Sequence, residues 1–182
     1  MNRKKYLIIS IIFFITLITF IGCGEKKKEI TPITENMKDE IFDIKLYVDK
    51  YEYTEEEIIN SYATLEYIGE EDSITIYSAD PLVGFALKDD KYFDGLYMSN
   101  DILMTTTIKK GEILRFDFSK SGGWSAEDPH ADFYEKFYSE KELILPAGTY
   151  EISATISCSF DHDDVLGTRY SKSVSTEITV TK

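Results

Sequence analysis

The sequence predicts an all-β protein: an antiparallel, immunoglobulin-like β-sandwich of about eight strands with one long irregular insertion. Three observations carry this. From Tyr150 to Phe160, apolar residues (Tyr150, Ile152, Ala154, Ile156, Cys158, Phe160) alternate with Glu151, Ser153, Thr155, Ser157 and Ser159. A period of two belongs to a strand with one buried and one wet face. Turn signals rich in Gly, Pro and Asp recur at short intervals, as in sandwiches. Strand-like runs do not alternate with helical ones, which argues against a doubly wound fold.

The chain opens with Arg3, Lys4 and Lys5, then the apolar run Leu7 to Cys23 (LIISIIFFITLITFIGC). The run approaches the ~17–25 residues that span a bilayer, so an uncleaved anchor is one reading. Its end favours another. Phe20-Ile21-Gly22-Cys23, followed by Gly24, Glu25 and three lysines, resembles the lipobox of bacterial lipoproteins. That resemblance implies a lipid on the Cys23 sulfur, cleavage after Gly22 and a mature chain beginning at Cys23. The expected organisation is a signal peptide over 1–22, a flexible tether over 23–39 and a sandwich domain over 40–182. Either reading places the domain outside the cytoplasmic membrane, held to the cell membrane by its N-terminal segment.

Composition limits the function. The chain carries 20 basic and 33 acidic residues, a formal charge of -13, and loss of the signal leaves 17 basic ones. Such a surface repels nucleic acid, whose binding draws on counterion release by Lys and Arg. Of the two cysteines, lipidation consumes Cys23 and leaves Cys158 alone. No intramolecular disulfide then forms, and no thiol cluster exists for structural zinc or redox chemistry. No cofactor is expected, and the domain is expected to be a monomer.

Taken in order, Glu25 to Asp39 is polar, contains Pro32 and shows no sustained period, which reads as tether; a short helix from Thr34 is the alternative. Phe42, Ile44, Leu46 and Val48 mark the first strand. Residues 51–57 read as a connection. Ile59, Ala63, Leu65 and Tyr67 mark a second strand, because Gly69 after a β-branched and aromatic run outweighs the helical start in Glu55-Glu56-Glu57. Ile74 and Ile76 point inward from a third. Pro81 and Gly84 break the next stretch, leaving Val83, Phe85 and Leu87 as an edge strand. Residues 92–100 have no clean period. Strand character resumes over 103–108, stops at Lys109-Lys110-Gly111, and returns with Leu114, Phe116 and Phe118 inward. Leu143 to Leu145 is a short strand, Pro146-Ala147-Gly148 a turn, and Val174, Ile178 and Val180 line the last strand.

The pair IKKGEILRFDF and LILPAGTYEISATI resembles a pattern of extracellular bacterial immunoglobulin-like domains, among them that of the small Bacillus proteinase-inhibitor family. The resemblance covers about Thr105 to Phe118 and Leu143 to Ile156 and implies the sandwich fold. No reactive-site residue maps onto this sequence.

No catalytic constellation stands out. The two histidines, His130 and His162, lie near no nucleophile signature. Asp161-His162-Asp163-Asp164 is the densest metal-like group, but its spacing does not match an EF-hand loop and a solvated hairpin loop explains it, so no metal is expected. Asp128, His130 and Asp132 form a second, alternating trio that would meet His162 if both loops shared one end of the sandwich. The insertion from Ser121 to Lys141 is the longest break in the strand pattern, with one or two helical turns over 131–140. It concentrates Trp124, Phe133, Tyr134, Phe137 and Tyr138, which either cap the core or form a recognition surface. The expectation is a tethered, non-catalytic binding or structural lipoprotein that recognises an envelope or extracellular protein, or a glycan, through the 121–141 loop. An exported inhibitor or protector of an envelope enzyme, and a hydrolase using the Asp-rich loops, are the alternatives.

Overall fold

The computed structural model describes residues 32–165 and 167–182; the expected signal peptide and the expected lipidation site Cys23 lie outside them. In chain order the described strands are β1 (Ile33–Lys38), β2 (Phe42–Val48), β3 (Glu52–Thr54), β4 (Ser61–Tyr67), β5 (Ser73–Lys88), β6 (Asn100–Lys109), β7 (Ile113–Asp117), β8 (Gly148–Ser159) and β9 (Arg169–Thr181). Among the described residues one helix, α1 (Ala131–Ser139), precedes β8. One sheet has the order β1-β2-β4-β7, the other β3-β9-β8-β5-β6. Every pairing is antiparallel except the parallel β3 on β9. The protein is an all-β sandwich.

Alternation builds the core. Phe42, Ile44, Leu46 and Val48 of β2 meet Tyr150, Ile152, Ala154, Ile156 and Cys158 of β8 within one buried cluster. Ile44, Ile152 and Ile156 are fully buried, each stabilising the fold by ~1.5–3 kcal/mol. Burial pushes the Cys158 thiol up to about 12, so it behaves as a small hydrophobe. The Tyr150 hydroxyl donates to the Pro146 carbonyl at 2.9 Å. That bond closes a tyrosine corner of the sandwich kind, and explains why Pro146, Gly148 and Tyr150 sit together.

The structure corrects several expectations. The stretch expected to be tether up to residue 39 is strand β1 from Ile33 to Lys38, not coil or helix. Ile33 and Met37 pack against the core, but Glu35 stands between them and breaks the local period. What makes this a strand is pairing with β2, from Ile33 opposite Val48 to Lys38 opposite Asp43. The 51–57 connection contains β3, held by parallel pairing of Tyr53 with Val180. The Val83–Leu87 segment is not a strand of its own, although its edge is open as expected. It is the second half of β5, paired with β8 on one side and beyond the reach of β6 on the other, and Pro81 falls where the register with β8 shifts between Ser78 and Val83. Gly84 is there for space: a Cβ would lie 2.1 Å from the Tyr97 ring. Leu143 to Leu145 is not strand, although Leu143 and Leu145 are buried. Phe160, expected inward, is 39% exposed.

The sandwich has two unlike ends. Val48, Ser61 and Asp117 align at one, where Phe118 packs on Phe85 at 5.3 Å. At the other, Phe42 packs on Phe160 and Tyr170 at 6.5 and 5.6 Å.

Candidate functional site: a cleft at one end of the sandwich

The candidate site is built where β5 runs out of neighbours. Beyond Asp80, residues Val83 to Lys88 pair with β8 on one side, while β6 no longer flanks the other. Two connections occupy that open edge. The 89–99 connection folds back so that the Gly95 N–H donates to the Leu87 carbonyl at 2.9 Å. The insertion reaches in through Ser121, whose hydroxyl donates to the Phe85 carbonyl at 3.4 Å and accepts the Met98 N–H at 3.3 Å. Between them lies an open cleft of about 630 Å³.

Local chemistry sets each wall. Asp89 Oδ1 accepts the N–H groups of Tyr92 and Phe93, both at 2.7 Å, a turn that aims both rings at the insertion. Asp128 Oδ1 accepts the His130 N–H at 2.9 Å, closing the turn that leads into α1. On α1 the pairs Phe133/Phe137 and Tyr134/Tyr138 lie four residues apart and so share a face. Phe137 is buried, and Phe133, Tyr134 and Tyr138 are half-buried. Gly122 has φ +113°, a region that glycine enters without strain.

Lys120 ends the helix. Its ammonium donates to the carbonyls of Phe137 and Glu140, at 2.5 and 2.7 Å, among the orphan acceptors of a helix C-terminus, and lies 4.2 Å from the Phe137 ring centroid. Burial lowers its pKa, with Glu140 and Glu142 opposing. The Tyr134 hydroxyl donates to the Tyr92 carbonyl and that of Tyr138 to the Ser121 carbonyl. Burial raises the pKa of both hydroxyls, seconded by Asp128 for Tyr134 and by Asp94 for Tyr138. Both therefore stay neutral donors at neutral pH.

The aromatic residues picked out by sequence separate here. Tyr134, Phe137 and Tyr138 line the cleft; Phe133 stands behind it, stacked on Tyr92 at 3.9 Å. Trp124 is 40% exposed and does not line the cleft. Capping the core falls to Phe133 and Phe137. Tyr92, Phe93, Leu96, Met98 and Lys120 were missed by sequence reasoning. The available signal was an aperiodic stretch with aromatic and large apolar residues directly after an Asp-Asp-Lys turn.

The two histidines do not meet. His130 packs edge-on against Tyr92 at 5.1 Å, and Phe93 packs on Tyr150 at the start of β8. His162 lies past the far end of β8, against Tyr77 at 5.2 Å. The trio around His130 therefore does not converge with it. Asp161 and Asp164 instead accept the N–H groups of Asp163 and Gly167, both at 2.9 Å. Among the described residues no three His, Cys, Asp or Glu side chains group as metal ligands. No protein-family model matches the chain, and no curated protein matches it.

Proposed function

We propose that this protein is a surface-tethered, non-catalytic binding module that takes a protein or glycan ligand in the cleft between the 89–99 connection and the 121–138 part of the insertion. The observation that carries the reading is the cleft itself. Two long connections are tied to the open edge of β5, yet leave about 630 Å³ between them, with Leu96 and Met98 left 74% and 65% exposed on its rim. Exposed apolar surface beside a concave site marks interaction. The lipobox-like Phe20-Ile21-Gly22-Cys23 supports tethering at the outer side of the cell membrane.

A photo-crosslinking residue placed at Met98 in the full chain on bacterial cells tests the binding role. A discrete adduct is expected from Met98 and none from Thr64, on the outer face of the opposite sheet; equal yields from both sites would count against the cleft. The tether has its own test. Cys23→Ala should abolish incorporation of a fatty-acid analogue, and label retained by that variant would end the lipoprotein reading.

A further inference from the structure

We infer that the ligand of this cleft is a cationic polypeptide segment carrying an aliphatic side chain, not a glycan. The inference rests on the cleft being the binding site proposed above and concerns the class of its occupant. Charge is the first argument. Asp89, Asp90, Asp94 and Asp128 line the cleft against two cations, Lys91 and Lys120. Both ammonium groups are engaged within the protein: Lys120 on the carbonyls ending α1, Lys91 on the Tyr92 hydroxyl at 2.6 Å and above its ring. The carboxylates of Asp89, Asp94 and Asp128 each hold their own turn through Oδ1, leaving the second oxygen to an incoming Lys or Arg. The cleft is thus a negative trough whose cations are occupied, and it favours a positive guest.

The aromatic rings supply the second argument. A sugar binds best on an open ring face, but Tyr92 and Phe137 have theirs covered. Tyr92 stacks on Phe133 at 3.9 Å with planes 21° apart, Phe133 on Phe137 at 5.9 Å with planes again 21° apart, and the Lys91 and Lys120 ammonium groups sit against Tyr92 and Phe137. Trp124, the exposed indole, lies outside the cleft. Leu96 and Met98 offer flexible aliphatic surface, suited to a side chain such as Leu or Val. Gly122 and Gly123 form part of the wall, where a peptide main chain can approach backbone without side-chain obstruction.

The test is calorimetric titration of the full chain in nanodiscs of uncharged lipid. The probes are Gly-Lys-Leu-Lys-Gly, its Glu counterpart, and a chitin tetrasaccharide. The Lys peptide should bind alone of the three, weaken with added salt, and weaken about tenfold in the Asp90→Asn/Asp94→Asn variant and again in Leu96→Ser. Asparagine retains the Oδ1 acceptor that holds the 94–96 turn, and Leu96 is exposed, so neither change threatens the fold; an unaltered melting temperature checks this. Tetrasaccharide binding that Leu96→Ser weakens, without Lys-peptide binding, would overturn the inference and leave the cleft as a site. Lys-peptide binding indifferent to these substitutions would show attraction to the acidic surface at large and overturn the inference. If no probe binds, the inference falls and the cleft reading loses its support as well.

Discussion

The two ends of the sandwich close the same core by opposite means. At the far end, the Asp161–Gly167 connection is folded onto itself. Asp161 and Asp164 hold its turns, and the fully buried Ser159 hydroxyl bonds to the Asp161 carbonyl at 2.9 Å and the Thr168 hydroxyl at 2.6 Å. The loop keeps its turns from within, and the rest of its carboxylates face open solvent, the Asp163 side chain being 95% exposed. At the near end, the connections are tied down at Gly95 and Ser121 while carboxylates and aliphatic side chains remain free around a cleft. A loop's acidity therefore says less about function than what its carboxylates stand beside. The Asp-rich loop, the more metal-like in sequence, is the one whose carboxylates face open solvent.

The comparison can be broken from the middle outward. Ile156 lies fully buried in β8, the strand on which both ends rest. Ile156→Asp should cost more than ~4 kcal/mol by placing a charge in the core, and urea denaturation should find no cooperative native baseline. Next comes Phe137→Ala, expected to lose ~3–5 kcal/mol because the ring joins the core cluster and floors the cleft. A melting temperature unchanged by that substitution would mean the insertion is not part of the fold. Ser159→Ala removes the hub of the far loop and should cost ~1–3 kcal/mol by orphaning its partners, with probe binding at the cleft untouched; impaired binding would show the ends to be coupled. Smallest is Trp124→Ala, within ~0.5 kcal/mol of wild type for a half-exposed side chain off the core. Its fluorescence should be quenched by iodide, and shielded, blue-shifted emission would return Trp124 to the role of lid.

Legibility followed the same division. Strands whose sides differ in solvent exposure announced themselves: β2, β4, β8 and β9 each carry a run of alternation that local sequence displays. β1 and β3 did not, because pairing and not their own pattern makes them strands: β1 through its hairpin with β2, and β3 through Val180, distant in sequence from Tyr53. Pro81 and Gly84 read as interruptions of β5, yet one sits at a register shift and the other beneath Tyr97. The aromatic half of the site was visible as the density of rings on what became α1. Its other half was hidden in residues 89–98, where no period exists to be read. Trp124 stood out by being the single tryptophan, and prominence in composition proved no guide to placement.

The registers carry one more consequence. Ile33 pairs with Val48, and Val180 with Gly148, so the described domain takes up the chain and releases it at the cleft end. The two ends of the path are also near each other across the sheets: the Tyr51 hydroxyl reaches Glu35 of β1 at 3.3 Å while its carbonyl accepts the Thr179 N–H of β9 at 2.8 Å. Such a layout is suited to circular permutation. A chain joined across Ile33 and Thr181, and reopened inside the Asp161–Gly167 loop, would keep every strand pair and the cleft intact. Its termini would move to the opposite pole, so under the proposed tether the way the domain presents its cleft from a surface would become a variable set independently of the lining of the cleft.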